Sequence, residues 1–407
     1  MQLIIHRGTR EIGGSCVELK TDKTRILIDF GLPLDAEIQQ KPAYPKIQPD
    51  AILISHSHMD HYGLLSYSHP DIPVYMSQGA KELIEVSNIF TPNKTGKVNV
   101  HVVKPKKPFV VGDLTITPYQ VDHSAFDALA FLIEGEGKRV FYSGDFRGHG
   151  RKSALFKMMV DNPPENIDCM IMEGSMLGRG KQKYNDEEEI EGRIVQILKE
   201  RKNITFLFAS SQNIDRLVSA YRACLKTDSV FVIDLYTAFI LDKLNKMKPS
   251  IPSFDWKNIR ILYQRHHADA LVGAGLKSLL YLYKKRKIEK EEIKLMRDRI
   301  LMIERDNHYS SKRLKDIGGT KGLRGARIIY SMWHGYLTDK FKAYCESEGL
   351  IIEHVHTSGH ATIEDLQAFA GALKPLSLIP IHTFEAKRYP ELFKSVKILS
   401  DGEKYKI

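Results

Sequence analysis

The sequence predicts an α/β protein in which a strand-rich layered domain is interrupted by a doubly wound parallel α/β domain. Three observations carry that reading. Short apolar segments bounded by Gly, Pro, Asp or Lys dominate the first 145 residues, strands and helices alternate from 185 onward, and the last segment returns to the first style. The boundaries read this way are 1–184 and 341–407 for the split domain and 185–340 for the insertion.

Taken in order, "CVELK", "RILIDFG", "AILIS", "VYMS", "LTITPYQV", "ALAFLIEG" and "RVFYSGD" are rich in β-branched and apolar residues, and "DCMIMEGS" (168–175) is a further buried strand. Residues 79–89 are the clearest helix of that half. From 185, "NDEEEIEGRIVQILKERK" has acids in its first turn and bases in its last, which complements a helix dipole. Ile190, Ile194, Ile197 and Leu198 form its apolar stripe. "ITFLFAS", "DRLVSAYRACLK", "VFVID" and "TAFILDKLNKM" continue as strand, helix, strand, helix. Residues 276–300 read as one long basic helix, and strands "ILMIE" and "RIIYSMW" follow. In the return segment "IIEHVHTSG" is a strand. "TIEDLQAFAGAL" is a helix with Thr362 as N-cap and Asp365 three residues on, and "SLIPIH" and "VKILS" are strands.

A chain of 407 residues with 43% hydrophobic and 27% charged side chains is soluble and globular in type, with room for two cores. Sixty Lys plus Arg against fifty Asp plus Glu leave +10, which favours an anionic partner such as nucleic acid. Cys16, Cys169, Cys224 and Cys345 form no CxxC pair and read as reduced core residues. No leader-like segment and no apolar run of membrane-spanning length is present, so the expectation is a cytoplasmic protein without a membrane partner.

The stretch "AILISHSHMDHYGLL" (51–65) changes character midway. His56 and His58 alternate by two, so an extended backbone aims both imidazoles to one side; Asp60 and His61 follow where the chain must turn. Imidazoles and a carboxylate without thiolate suit zinc or a similar divalent ion. His123 in "YQVDHSAF", Asp145 ending "RVFYSGD" and His382 ending "SLIPIH" sit at the ends of other strands and complete a set. The assignment gives one ion His56, His58 and His123, the other Asp60, His61 and His382, with Asp145 bridging together with a hydroxide. Two divalent ions contribute about +4, and two carboxylates with hydroxide about −3, leaving roughly +1 to meet a phosphodiester. The cofactor expectation is two zinc ions, with manganese the alternative. Asp29, ending "RILIDFG", is read either as the partner that orients a ligand histidine or as a turn residue.

The spread His56-x-His58-x-Asp60-His61, then His123, Asp145 and His382, resembles the metal motifs of the metallo-β-lactamase superfamily in order and context. The inserted domain and "GTREIGGSCVEL" resemble its β-CASP branch, the RNA-processing nucleases that include ribonuclease J. That resemblance implies an αββα metallo-β-lactamase sandwich with an inserted β-CASP domain. It also matches Glu173 in "MEGS", His360 in "HTSGHA" and His382 in "IPIHTFE" to further family motifs; histidine at the last place accompanies RNA substrates, and valine DNA substrates.

The implied activity is metal-assisted hydrolysis of RNA, endonucleolytic, 5′ exonucleolytic or both, leaving 5′-phosphate and 3′-hydroxyl. Asp60 would orient the attacking hydroxide, and His360, held by Glu173, would serve the leaving oxygen. Ser358, Gly359 and His360, ahead of a helix near Thr362, are candidate phosphate contacts. Ser210, Ser211, Gln212 and Asn213, with Arg216 adding charge, are candidate contacts to the RNA backbone. The expected partner is single-stranded RNA, and a homodimer is the oligomer considered. The competing readings are a thioester or lactone hydrolase and a DNA nuclease on the same fold, and a nucleic-acid-binding protein without catalysis.

Overall fold

The computed structural model describes residues 1–34, 44–180, 182–305, 307 and 309–407. Contacts divide the chain into two units: Met1–Gly180 with Gly359–Ile407, and Lys181–Ser358.

The first unit is built on two sheets. One runs in the order Lys404–Lys406, Gln2–Arg7, Cys16–Lys20, Arg25–Ile28, Ala51–Leu53, Pro73–Met76, Asn99–Val102. The other runs Ser377–Ile381, Cys169–Glu173, Lys138–Tyr142, Leu129–Gly135, Leu114–Gln120, Phe109–Val111. Strand alternation sorts each sheet's side chains between two faces. Leu3, Ile5, Val17, Ile26, Ile28 and Leu53 meet Leu129, Phe131, Ile133, Tyr142, Ile171 and Ile379 in one core between the sheets. Leu27, Ile52 and Val74 point the other way and take Ala80 and Ile84 of helix Gln78–Phe90. On the far sheet Ala130, Leu132, Phe141 and Met170 take Leu366, Phe369 and Leu373 of helix Ile363–Leu373. The layers are helix, sheet, sheet, helix. Phe131 is fully buried, and truncating such a side chain to Ala costs about 3–5 kcal/mol.

Strand direction is what gathers chemistry in this unit. Lys138–Tyr142, Cys169–Glu173 and Ser377–Ile381 are mutually parallel, and Leu114–Gln120 runs the same way because two antiparallel pairings separate it from Lys138–Tyr142. Their carboxyl ends therefore share one edge.

The second unit holds a seven-stranded parallel sheet in the order Lys287–Ile288, Ile259–Leu262, Val230–Asp234, Ile300–Glu304, Thr205–Phe208, Arg327–Tyr330, Ile351–His354. Helix Glu187–Glu200 starts at Asp186, whose side chain accepts from the Glu188 and Glu189 N–H groups, and it buries Ile190, Ile194, Ile197 and Leu198.

Three expectations change. The insertion ends at Ser358 rather than 340, because Ile351–His354 adds to the inserted sheet beside Arg327–Tyr330. The long basic helix over 276–300 is broken into helices Lys277–Tyr283 and Lys290–Leu295 around strand Lys287–Ile288. Ile288 is buried against Leu262, and Glu289 with Glu292 forms a capping box that restarts the helix, so local packing overrides the continuous pattern. The final strand is Lys404–Lys406 rather than "VKILS", which contributes a single bridge between Leu378 and Val396. Among the described residues no helix is long and apolar enough to cross a membrane.

Candidate metal centre

Ala51–Leu53 is a fully buried strand between Arg25–Ile28 and Pro73–Met76, and the chain emerges from it straight into the histidines. The loop after Arg25–Ile28 clamps them: Phe30 and Leu32 N–H groups donate to the carbonyls of His61 and Met59 at 2.8 and 3.0 Å. Gly31 is required by closeness, since a Cβ there would lie 1.8 Å from the Asp60 carbonyl oxygen.

All seven sequence-picked donors converge. His56 Nε2 and His123 Nε2 stand 3.1 and 3.2 Å from His58 Nδ1. Asp145 Oδ2 lies 3.1 Å from His61 Nε2, 3.6 Å from His382 Nε2 and 3.8 Å from His56 Nε2. Asp60 Oδ2 is 3.8 Å from both His61 Nε2 and His382 Nε2. Donor atoms within 4.8 Å of one another form four overlapping sets, His56–His58–His123, His56–His61–Asp145, Asp60–His61–His382 and Asp145–His360–His382. Ligands bound at about 2.0–2.2 Å around a tetrahedral ion stand roughly 3.4 Å apart, so these separations fit cations at the centre of each set. Two further features test the fit. The buried Nε2 atoms of His61 and His382 have no hydrogen-bond partner in the described structure. Burial would raise the Asp145 pKa, yet His382, His61 and His360 hold it well below the usual carboxylate range, so a buried anion faces the cleft.

The ligand tautomers are set from behind. Asp29 Oδ2 lies 2.7 Å from His61 Nδ1, so Nδ1 carries a proton toward Asp29 and Nε2 is turned to the cleft. Ser55 Oγ donates to Asp29 Oδ2 at 2.8 Å and lies 3.0 Å from His56 Nδ1, which extends the same device to a second histidine. Tyr142 Oη donates to Asp29 at 2.7 Å, and the Ser55 N–H donates to the other carboxylate oxygen at 2.7 Å. His123 Nδ1 donates to the Gly359 carbonyl at 2.5 Å. A Cβ on Gly359 would lie 2.6 Å from Ser124 Oγ, so a larger residue there would have to displace Ser124. His382 Nδ1 is 3.0 Å from Ser15 Oγ. Burial pushes His56 and His123 well below the usual imidazole range, lowers His382, and takes His58 to about 4, which keeps these four rings neutral, as a cation needs; burial also works against charge on His61, but Asp145, Asp29 and Asp60 outweigh it and raise its pKa well above that range. Asp29 and His382 both take positive φ, 58° and 55°, a left-handed strain held by the surrounding bonds.

His360 Nδ1 stands 3.2 Å from Glu173 Oε1 and 3.6 Å from Asp145 Oδ2. Burial works against its charge, but Glu173 and Asp145 outweigh it and raise its pKa. Glu173 also accepts from the N–H groups of Phe146, Ala361 and Ser175. His58, Asp60 and His360 keep partial exposure, which marks the open side of the cleft.

The expected substrate contacts fare differently. Ser358 belongs to the second unit, and its N–H is donated to Gln182 Oε1 at 2.5 Å, which corrects its assignment as a phosphate donor. Gly359 serves through its carbonyl. Arg216 is fully buried, bonded to Glu187, Ser331 and the carbonyls of Val355 and Thr357, so it is a packing residue and not a surface charge. Ser211 is buried against Thr237 and Arg305, and Asn213 caps helix Ile214–Lys226 through the Arg216 N–H. Gln212 donates to Tyr236 Oη at 3.0 Å, and Ser210 alone of the five is exposed. Ser55, Tyr142 and the Gly359 carbonyl were not singled out from sequence. Ser55 had a signal, since it directly precedes the first histidine in "AILISH".

Residues 24–189 match the beta-lactamase superfamily domain, and 350–394 match the Zn-dependent metallo-hydrolase RNA specificity domain. The chain is 28% identical to a probable RNase (MJ4) of Methanocaldococcus jannaschii over 49% of its length and 50% of that protein. It is 24% identical to transcription termination factor FttA of Methanothermobacter thermautotrophicus, covering 62% of this chain and 44% of that one. With ribonuclease J of Helicobacter pylori it shares 21% identity over 98% of this chain and 59% of the relative. The chain thus spans about half the length of these curated relatives. A crystal structure of a protein of unknown function from Enterococcus faecalis superposes with TM-score 0.78 at 18% identity, over 99% of both chains, and shares the fold. By its matched domains, its fold and its donor set, the chain belongs to the metallo-β-lactamase superfamily, in the β-CASP branch.

Proposed function

We propose that this chain is a zinc-dependent ribonuclease that hydrolyses RNA phosphodiester bonds to 5′-phosphate and 3′-hydroxyl ends. The observation that carries the reading is the seven-donor cleft with His360 and Glu173 at its side, inside a chain whose 350–394 segment matches an RNA specificity domain. The names of relatives, a probable RNase and ribonuclease J, support the same substrate class.

His56, His58 and His123 would hold one divalent ion, and Asp60, His61 and His382 the other, with Asp145 shared. When bound, such ions activate water and neutralise phosphoryl oxygens. The chain's own groups supply the rest. Asp60, partly exposed at the cleft, orients the attacking water and accepts its proton. Asp145 keeps the donor sets together. The imidazolium of His360, held by Glu173, gives a proton to the leaving 3′ oxygen, so water oxygen joins phosphorus and the P–O3′ bond breaks. Ser210, the exposed member of its loop, is the remaining candidate for an RNA contact in the second unit.

The test is incubation of metal-loaded protein with 5′-monophosphorylated single-stranded RNA, matched DNA and a generic ester. RNA alone should be cleaved, leaving 5′-phosphate. Preferential ester hydrolysis would overturn the reading in favour of a small-molecule hydrolase, and DNA cleavage in favour of a DNA nuclease. End-labelled RNA separates endonucleolytic from 5′ exonucleolytic action by product length. Sedimentation tests the homodimer.

A further inference from the structure

The inserted unit carries a cavity of about 650 Å³ that shares no residue with the metal centre. It opens at the carboxyl edge of the parallel sheet, beside Leu262 at the end of strand Ile259–Leu262 and Met302 of strand Ile300–Glu304. Beside them, the neighbouring strands Val230–Asp234 and Ile300–Glu304 are left in opposite directions, the first toward Ile259–Leu262 and the second toward Arg327–Tyr330. Diverging connections open a crevice, and such crevices are where doubly wound sheets take ligands. The volume falls inside the range of about 300–1,000 Å³ typical of small-molecule sites.

The lining specifies a ligand type. Leu262, Met302 and Ile317 give an apolar floor, and Tyr263 and Tyr309 add aromatic rings. Tyr263 is fixed in place by donating its hydroxyl to the Leu280 carbonyl at 2.6 Å. Four cationic side chains, Arg265, Lys290, Lys312 and Arg313, line the cavity with the carboxylates Asp269 and Asp316, and Arg265 pairs with Asp269 at 3.8 Å. Lys290 pairs with Asp316 at 3.0 Å and Arg313 with the buried Glu304, while Lys312 has no ion-pair partner among the described residues. Helices Arg265–Gly273 and Ser310–Gly318 both begin at the rim without a side-chain cap, so their positive ends add to the anion preference.

We propose that this cavity binds one nucleoside monophosphate unit, its base against the tyrosine rings and apolar floor and its phosphate at Lys312. The unit comes from a free mononucleotide or from one nucleotide of an RNA strand. Calorimetric titration of the metal-loaded full chain with AMP, adenosine, inorganic phosphate and a short cleavage-resistant RNA tests this. AMP should bind saturably, and adenosine and phosphate at least about tenfold more weakly. Lys312→Glu and Tyr309→Ala, both at exposed positions, should each weaken AMP by about tenfold with an unchanged thermal midpoint. Competition by the oligonucleotide assigns the source to RNA; its failure to compete assigns a free nucleotide. Absence of saturable AMP binding, or binding that both variants leave intact, overturns the proposal. RNA cleavage is scored separately in the same preparation, so its loss and the loss of nucleotide binding remain distinguishable.

Discussion

The cleft after Ala51–Leu53 and the loop after Thr205–Phe208 start alike: each leaves the carboxyl end of a buried parallel strand and presents a run of polar residues. They end differently. In the first, polar atoms are fixed from behind and left open in front: Asp29 accepts a hydrogen bond from His61 Nδ1, and the buried His61 Nε2 is turned to the cleft without a hydrogen-bond partner in the described structure. In the second, Ser211, Asn213 and Arg216 are consumed by Thr237, a helix cap and Glu187. A polar run at a strand end becomes a site when its neighbours orient it without satisfying it.

Substitutions can break that contrast, beginning with the largest effect. Asp145→Ala removes the shared donor, and RNA cleavage should fall at least about 10⁴-fold with loss of bound metal. His360→Ala should lower cleavage by roughly 10²–10⁴-fold while metal content stays normal, because its Nδ1 stands 3.2 Å from Glu173 and the seven other donors remain to hold the ions. Full activity in that variant would remove His360 from the chemistry. In the loop, Arg216→Ala strands Glu187 as an unpaired buried charge and should cost about 3–5 kcal/mol in denaturant melts. An unaltered melt with weaker RNA binding would instead restore Arg216 as a substrate contact. Asp29→Asn should weaken metal affinity by about 10–100-fold in a chelator competition. Ser210→Ala should leave stability within about 0.5 kcal/mol, so any change in RNA affinity it brings reports contact directly.

Much of the centre was legible because its determinants are local. The His-x-His alternation survives in any extended chain, and His123, Asp145 and His382 each follow a recognisable strand. Parallel strands then deliver those ends to one edge without further instruction. What could not be read depends on partners remote in sequence. Arg216 looks like a surface base until Glu187, 29 residues earlier, is folded against it. The Gly359 carbonyl acquires its role from His123, 236 positions away. Residues 276–300 look like one helix until Ile288 finds Leu262. The boundary at Ser358 was missed for the same reason, since Ile351–His354 is a generic strand whose sheet is chosen by pairing with Arg327–Tyr330.

Elemental analysis of the purified chain tests the central claim most directly. Two equivalents of divalent metal per chain, reduced in Asp145→Ala and in His382→Ala, is the predicted result. A folded chain that binds no stoichiometric divalent ion, even after dialysis against zinc or manganese, would contradict it.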